Sequence, residues 1–145
     1  MTDGLGREDL FLYTGGGNES GEMYAPLQAI TVSIDGFRVE HNELRVSEEF
    51  VRTTSTVVVE GDGETGRGED VIYDPAFHEY PASLAETLTG QWTFEECSER
   101  IARVDLFPAH LDVDTDSRGF RRRPVKERFR RWALESAVLD LALKQ

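Results

Sequence analysis

Apolar and polar residues alternate along the early part of the chain. From Ala29 to Val39 the apolar positions recur with a period of two, and Gly36 allows a bulge within the run. A period of two is typical of a strand with one buried face. The pattern therefore predicts a first strand here, ended by the polar residues 41–43.

Two further strands are predicted from composition and turn residues. The segment Phe50 to Glu60 is dense in Val and Thr, which suit a pleated surface. Residues 61–63 read Gly-Asp-Gly, a sequence that favours a tight hairpin turn, and the next strand runs from Glu64 to Tyr73. Short links between adjacent strands predict a three-stranded antiparallel meander.

Helical patterns dominate the second half of the chain. A short helix is predicted from Tyr80 to Leu88, with Pro81 in its first turn. A second helix begins after Thr93, a suitable N-cap that two glutamates follow, and extends to about Val104. The fold class predicted is therefore α+β, a meander followed by a helical subdomain.

The strongest pattern is the last one, a helix from Pro124 to Gln145. It has no glycine, asparagine or proline to end it, so we expect it to continue and its apolar face to need a further partner. That face consists of Phe129, Trp132, Ala133, Ala137, Val138, Leu141 and Ala142.

The domain organisation follows from these patterns. Residues 1–28 are predicted to be a flexible extension, because Gly15 to Gly21 is small and polar and lacks the Gly-Lys-Ser/Thr of a phosphate loop. Residues 29–145 form one domain. No apolar run is long enough to span a membrane, no secretory signal is present, and the single Cys97 indicates a cytoplasmic protein.

Charge bears mainly on the choice of partners. The net charge of -12 argues against nucleic acid, although aromatic residues interleave with the cations from Arg121 to Arg131. We interpret that basic stretch as a solvated helix face or an interdomain contact. Acidity combined with only two lysines, Lys126 and Lys144, leaves a salt-rich cytoplasm and a GC-rich genome open as explanations.

A calcium site is the sharpest metal hypothesis. Asp112, Asp114 and Asp116 alternate as in a calcium loop, but the sixth and twelfth positions are Ser117 and Arg123 where such loops carry Gly and Glu. An acidic surface loop is therefore the interpretation we favour.

Other reactive residues have ordinary structural explanations. His41, His78 and His110 lie at no metal-ligand spacing, Cys97 has acidic neighbours, and no serine has a nucleophile-elbow setting. Glu69 is adjacent to Asp70, so the two must point to opposite faces of a strand. No catalytic or metal-ligating residue is predicted in this chain.

Two stretches carry a resemblance to a known family. Residues 57–69 read Val-Val-Val-Glu-Gly-Asp-Gly-Glu-Thr-Gly-Arg-Gly-Glu, and residues 132–143 contain Ala-Val-Leu-Asp-Leu-Ala-Leu. In this order they resemble the N-terminal cap domain of the enolase superfamily, in the branch of muconate-lactonizing enzyme, mandelate racemase and o-succinylbenzoate synthase. The resemblance covers residues 29–145.

The resemblance implies a lyase or isomerase whose C-terminal (β/α) barrel lies beyond this chain. In that family, barrel carboxylates hold Mg²⁺, which stabilises an enolate while a barrel base removes the α-proton of a carboxylate. The implied reaction is that of a racemase, cycloisomerase or dehydratase acting on a small carboxylate, and this chain alone is expected to be inactive. A homo-oligomer is compatible with this picture.

The capping role would lie in two loops that set substrate specificity, at Glu43 to Glu49 and Asp74 to Tyr80. Phe77, His78 and Tyr80 are the substrate-binding residues that this placement suggests. The alternative function is a standalone protein-interaction or dimerisation module without catalytic activity.

Overall fold

The fold was analysed in a computed structural model, which describes residues 26–72, 75–113 and 123–145. Predictions for residues 1–25 of the N-terminal extension, for Asp114 and Asp116 and for the 121–122 cations fall outside this range, whereas residues 26–28 of that extension are described, with Gln28 Nε2 donating to Glu95 Oε1 at 3.0 Å. In chain order the elements are β1 (Thr31–Ile34), β2 (Gly36–Arg45), β3 (Val51–Gly61), β4 (Glu64–Asp70), a 3-10 turn (Pro75–Phe77), α1 (Ser83–Leu88), β5 (Gly90–Thr93), α2 (Phe94–Arg103) and α3 (Arg123–Lys144). The predicted α+β class is confirmed.

The central sheet is the predicted antiparallel meander, in the order β2-β3-β4. Its second hairpin turns at Asp62 and Gly63, whose φ values are 51° and 77°. Both lie in the left-handed region that a two-residue hairpin turn requires, and Asp and Gly reach that region more readily than most residues. The local turn chemistry therefore fixes the register of Gly61 opposite Glu64.

The predicted first strand is two strands in different sheets. The Asp35 amide donates to the Glu60 carbonyl at 2.8 Å, and on either side of this point the chain has different partners. β1 pairs with β5, with Thr31 opposite Thr93, whereas β2 pairs with β3. The four-residue β5 was not predicted, because its pairing with β1 is a long-range interaction that no local pattern reveals.

The polar residues 41–43 do not end β2, contrary to the prediction. β2 continues through them to Arg45, while β4 extends only as far as Asp70 opposite Ser55. Beyond that point β2 and β3 form a two-stranded arm, residues 42–54, beside which the described part of the chain places no third strand. Polar side chains suit both faces of such an arm because water reaches both.

Two other boundaries differ from the sequence prediction. β4 stops at Asp70 and does not reach Tyr73, since the Asp70 side chain accepts the Ile72 amide at 3.2 Å and turns the backbone. The first helix begins at Ser83, after Pro81, and does not include Tyr80. The segment 75–80 is therefore neither strand nor α-helix, which leaves its carbonyls available to side chains.

Helix α3 packs across β3 and β4 at very short range. A Cβ on Gly66 would lie 2.1 Å from the Ala137 carbonyl oxygen, and one on Gly68 would lie 2.0 Å from that of Ala133. Glycines at alternate strand positions thus face small residues four apart on the helix. This contact allows the helix backbone to rest almost directly on the strand.

The apolar face of α3 is covered within this chain, which corrects the expectation that it needs a further partner. Ala133, Leu134, Ala137, Val138 and Leu141 are all buried against the sheet. The two predicted aromatic members of that face, Phe129 and Trp132, are only half-buried, with their ring centroids 5.7 Å apart. No helix among the described residues is long and apolar enough to cross a membrane.

Helix α2 starts with the predicted cap. The Thr93 hydroxyl accepts the Glu96 amide at 3.1 Å, and the Glu96 carboxylate accepts the Thr93 amide at 2.8 Å. This reciprocal pair is a capping box, which satisfies two amides that the helix itself leaves without partners.

We expect Thr93→Ala to lower the free energy of unfolding by about 1 kcal/mol, because an alanine offers no acceptor at the helix start. Urea denaturation followed by circular dichroism measures this. Thr89→Ala is the matched control, since its hydroxyl only donates to the Ala85 carbonyl. Equal losses in the two variants would show that the cap contributes nothing specific.

Candidate functional site

The largest concentration of buried polar groups lies where β3 and β4 end. Ser55 and Asp70 face each other across these strands, and both are fully buried. The segment 75–80 and helix α3 close over them. We call the five residues Ser55, Asp70, His78, Tyr80 and Arg130 the polar core cluster.

Arg130 occupies the centre of this cluster with no exposed surface. Its Nε donates to Asp70 Oδ2 at 3.0 Å, which forms an ion pair between two fully buried side chains. The remaining guanidinium nitrogens donate to the carbonyl oxygens of Phe77 at 2.5 Å, Glu79 at 2.7 Å and Leu106 at 2.9 Å. One side chain thus ties β4, the segment 75–80 and the loop after α2 to helix α3.

Aromatic rings enclose the same guanidinium. Its central carbon lies 3.6 Å from the Tyr80 ring centroid and 4.1 Å from that of Phe107. The Tyr80 hydroxyl donates to Asp70 Oδ2 at 2.5 Å. Burial raises the pKa of Tyr80 far above its ordinary value, and the neighbouring Asp70 acts in the same direction. Tyr80 therefore stays a neutral hydrogen-bond donor.

Ser55 and His78 form the other half of the cluster, and His41 lies beside them at the surface. The His78 Nε2 lies 2.8 Å from the Ile72 carbonyl oxygen, which accepts only, so Nε2 carries a proton. In the neutral ring Nδ1 is then an acceptor, and the Ser55 hydroxyl, 2.7 Å away, donates to it. The exposed His41 completes the chain by donating from Nδ1 to Ser55 Oγ at 3.0 Å.

The arrangement of Ser55 and His78 has the hydrogen bond of a nucleophile and its base, but not the access. Ser55 is fully buried and His78 is 4% exposed, so no substrate reaches the hydroxyl in this conformation. Among residues 26–72, 75–113 and 123–145, no three His, Cys, Asp or Glu residues are placed to hold a metal ion. The cluster is a set of mutually satisfied groups, and what it can do chemically is to fix the segment 75–80.

The sequence-predicted site residues lie in or beside this cluster. Phe77 is 8% exposed, with the Lys126 ammonium 3.7 Å from its ring centroid. His78 points into the core, and half-buried Tyr80 lies against Arg130. The three side chains thus face inward, and they would reach a substrate only if the segment moved.

The predicted solvated face of the basic stretch needs a correction. Lys126 is 4% exposed and Arg130 is fully buried, whereas Arg128 is exposed as expected. A signal was available, because positions 126 and 130 precede the buried Ala133 and Ala137 at helical spacing and so belong to the inward stripe. Asp70 is the ion-pair partner of Arg130. The sequence predicted of Asp70 only that it points to the opposite strand face from Glu69.

Cys97 is fully buried. Burial raises the pKa of its thiol from an ordinary 9.0 to about 12, and the Glu135 carboxylate nearby acts in the same direction. A group whose pKa is raised on folding stabilises the fold below its unfolded value and loses that contribution as the pH rises. Stability should therefore fall between about pH 9 and about pH 12 through this group.

We expect the native Cys97 thiol to be nearly inert to iodoacetamide near pH 8, with a thiolate fraction about a thousandfold below that of a free thiol. Mass spectrometry of the alkylated chain measures the rate. Glu99→Cys in a Cys97→Ala chain is the control, because position 99 is exposed on the same helix. Equal alkylation of both thiols in folded protein would contradict the prediction.

Comparison with known families assigns this chain to one of them. A family model described as "Domain of unknown function (DUF8230) N-terminal domain" matches residues 25–145, and the chain belongs to that family. A search of curated proteins and a search of solved structures each found no match. The family description names a position within a longer protein and no activity.

Proposed function

We propose that this chain is a non-catalytic N-terminal domain that shapes the site of a catalytic domain, as the cap does in Mg²⁺-dependent enzymes of the enolase superfamily. The observation that carries the proposal is that the groups of the polar core cluster are satisfied by partners within the chain. A domain whose core polar groups only position its own segments can present loops to another domain, but it cannot supply an acid, a base or a metal ligand from that core.

The geometry supports a loop-presenting role in a specific way. Arg130 has no surface exposed to solvent and donates to two carbonyls of the segment 75–80, so that segment is fixed to α3 and the sheet. The first predicted loop, residues 43–49, lies at the tip of the arm, where Leu44 and Val46 expose 64% and 59% of their surface. A rigid segment and a protruding apolar tip are suited to contact a neighbouring domain or its substrate.

The enolase-type assignment is the finer part of the proposal. It rests on the resemblance of residues 57–69 and 132–143, and it is consistent with a family whose model is described as an N-terminal domain. In this proposal the following (β/α) barrel carries the carboxylates that hold Mg²⁺ and the base that removes the α-proton. This chain would contribute the loops 43–49 and 74–80, and Phe77, His78 and Tyr80 would touch the substrate only after the second of these loops moved.

The first test is the reading frame that follows residue 145 in the gene. A barrel with spaced acidic residues and a Lys-x-Lys segment supports the proposal, and a frame without such a barrel overturns the enolase assignment. The second test follows exchange of the α-proton of small carboxylates in D₂O by NMR. We expect exchange with the full-length protein and Mg²⁺ and none with the 145-residue chain, so exchange by this chain alone would contradict the proposal.

A variant of the full-length protein tests the loop role directly. We expect Leu44→Asp with Val46→Asp to change the ratio of kcat/KM between two carboxylate substrates while the melting temperature stays the same. Val125→Asp is the control, because that residue is 40% exposed and lies outside both loops. An unchanged substrate ratio in the arm variant would remove the arm from the proposed cap function.

A further inference from the structure

Both lysines of this chain are held in contacts of the fold. Lys126 is 4% exposed, and its ammonium lies 3.7 Å from the centroid of the Phe77 ring. Lys144 Nζ donates to the Thr65 carbonyl at 2.7 Å and to Asp140 Oδ2 at 3.1 Å. Every other permanently charged cation of the chain is an arginine. Lysine therefore occurs only where a specific contact uses its ammonium.

The carboxylates are distributed in the opposite way. The chain has 28 Asp and Glu residues against 16 Lys and Arg, which gives the net charge of -12. Among the residues that the structure describes, Asp70 and Glu135 are the buried carboxylates, and the others lie partly or fully at the surface. The excess of negative charge is therefore a property of the surface.

Surface arginines balance this charge only locally. Arg38 Nη1 lies 2.9 Å from Glu60 Oε2, and Arg67 Nη1 lies 3.2 Å from Glu40 Oε1. Exposed pairs of this kind contribute little to stability, and salt weakens them further. The excess lies in other exposed side chains, among them Glu43, Glu48, Glu49, Glu64 and Glu86.

Some carboxylates also lie close to one another. Glu48 and Glu49 are adjacent at the tip of the arm, and Glu95 lies one helical turn before Glu99 on α2. Like charges four positions apart on a helix repel, and the repulsion destabilises the helix in dilute solution. Because salt screens exposed charges, the cost of both arrangements falls as the ionic strength rises.

We propose that this fold is adapted to concentrated monovalent salt, in which hydrated K⁺ or Na⁺ ions neutralise the carboxylate surface. A net charge of -12 destabilises the compact state through self-repulsion. The Debye length falls from about 10 Å at 0.1 M salt to about 3 Å at 1 M, so concentrated salt removes most of that repulsion. This inference stands apart from the proposed cap function.

A GC-rich gene is the other explanation that the composition leaves open. Such a gene exchanges lysine codons for arginine codons but adds no carboxylates. It therefore explains the scarcity of lysine and not the net charge of -12. It also predicts a stability that depends little on salt, and this difference separates the two explanations.

The first test is the melting temperature of the 145-residue chain, followed by circular dichroism in a series of KCl concentrations. We expect a rise of about 10 °C or more between about 0.1 M and 2 M KCl, and the same curve in NaCl, since screening does not distinguish the two cations. A flat or falling curve would overturn the proposal. So would a response to one cation that saturates at millimolar concentrations, because that would indicate a specific ion site.

A charge variant shows whether the carboxylates cause the response. Glu43→Gln, Glu48→Gln, Glu64→Gln and Glu86→Gln together remove four negative charges at exposed positions and change the net charge from -12 to -8. We expect this variant to melt at a higher temperature than the native chain in about 0.1 M KCl. Its rise in concentrated KCl should be about half as large, since self-repulsion grows with the square of the net charge.

The matched control replaces the same four glutamates by aspartates, which keeps the charge. Its melting temperature should rise with KCl as steeply as that of the native chain. Concentrated salt can also strengthen apolar burial, but that effect acts equally on both variants, so the difference between their curves reports the charge alone. Equal salt responses of the glutamine and aspartate variants would overturn the proposal.

Discussion

Arg130→Met should lower the free energy of unfolding by about 3–5 kcal/mol, the usual cost of breaking a buried ion pair by removing one partner. Methionine leaves the Asp70 carboxylate charged and fully buried, and it removes the donors to the Phe77, Glu79 and Leu106 carbonyls. The stability of a domain of this size is about 5–15 kcal/mol. Urea denaturation would therefore show a much lower midpoint.

Helix α3 supplies a matched control for this prediction. Arg128→Met makes the same chemical change two residues earlier, at an exposed position, and should change stability by less than about 0.5 kcal/mol. The double variant with Asp70→Asn should lose less than the sum of the two single losses, because each single change leaves the other side chain buried without its counter-charge. Equal midpoints for the two arginine variants would show that the Arg130 network does not stabilise the fold.

The parts of the fold that sequence predicted are those fixed by local chemistry. The turn at Asp62 and Gly63 needs only residues that reach a positive φ, and the start of α2 needs only Thr93 and Glu96. The long helix α3 follows from its own periodicity. In each case the decisive interactions join residues within a few positions of one another, so a short stretch of sequence is enough to predict the element.

The parts that sequence missed depend on long-range pairing. The division of the first strand after Ile34 is set by β5, which lies more than fifty residues later in the chain. The role of Arg130 depends on Asp70, sixty residues earlier, and on backbone carbonyls that carry no sequence signal. Within a basic stretch, sequence alone does not tell a buried cation from its exposed neighbours, because burial depends on where the sheet packs against the helix.

The same limit applies to the candidate site. Phe77, His78 and Tyr80 were selected for their position in a loop, and their membership in a buried cluster depends on Ser55, Asp70 and their tertiary contacts. Their substrate-binding role stays a prediction that belongs to the full-length protein. The exposed tip of the arm is the part of the predicted lid that solvent already reaches.

Gly68→Ala should be among the most destabilising single-methyl additions in this chain, at about 3 kcal/mol, the upper part of the usual range for overpacking. The added Cβ would lie 2.0 Å from the Ala133 carbonyl oxygen and 3.0 Å from the Ala137 amide nitrogen. These are backbone atoms of α3, so no rotamer change relieves the clash and the helix must move away from the sheet. Thermal or urea unfolding measures the loss.

Two comparisons make this prediction specific to helix packing. Gly63→Asn adds a larger side chain at a position with open space and a φ of 77°, which Asn tolerates, so it should cost about 1 kcal/mol or less. Adding Ala133→Gly to Gly68→Ala should not restore stability, because the clashing atom is the carbonyl oxygen and remains in place. If Gly68→Ala matched Gly63→Asn in stability, the close approach of α3 to β4 would be wrong. The burial of Arg130 would then be in doubt as well, since the same helix carries it into the core.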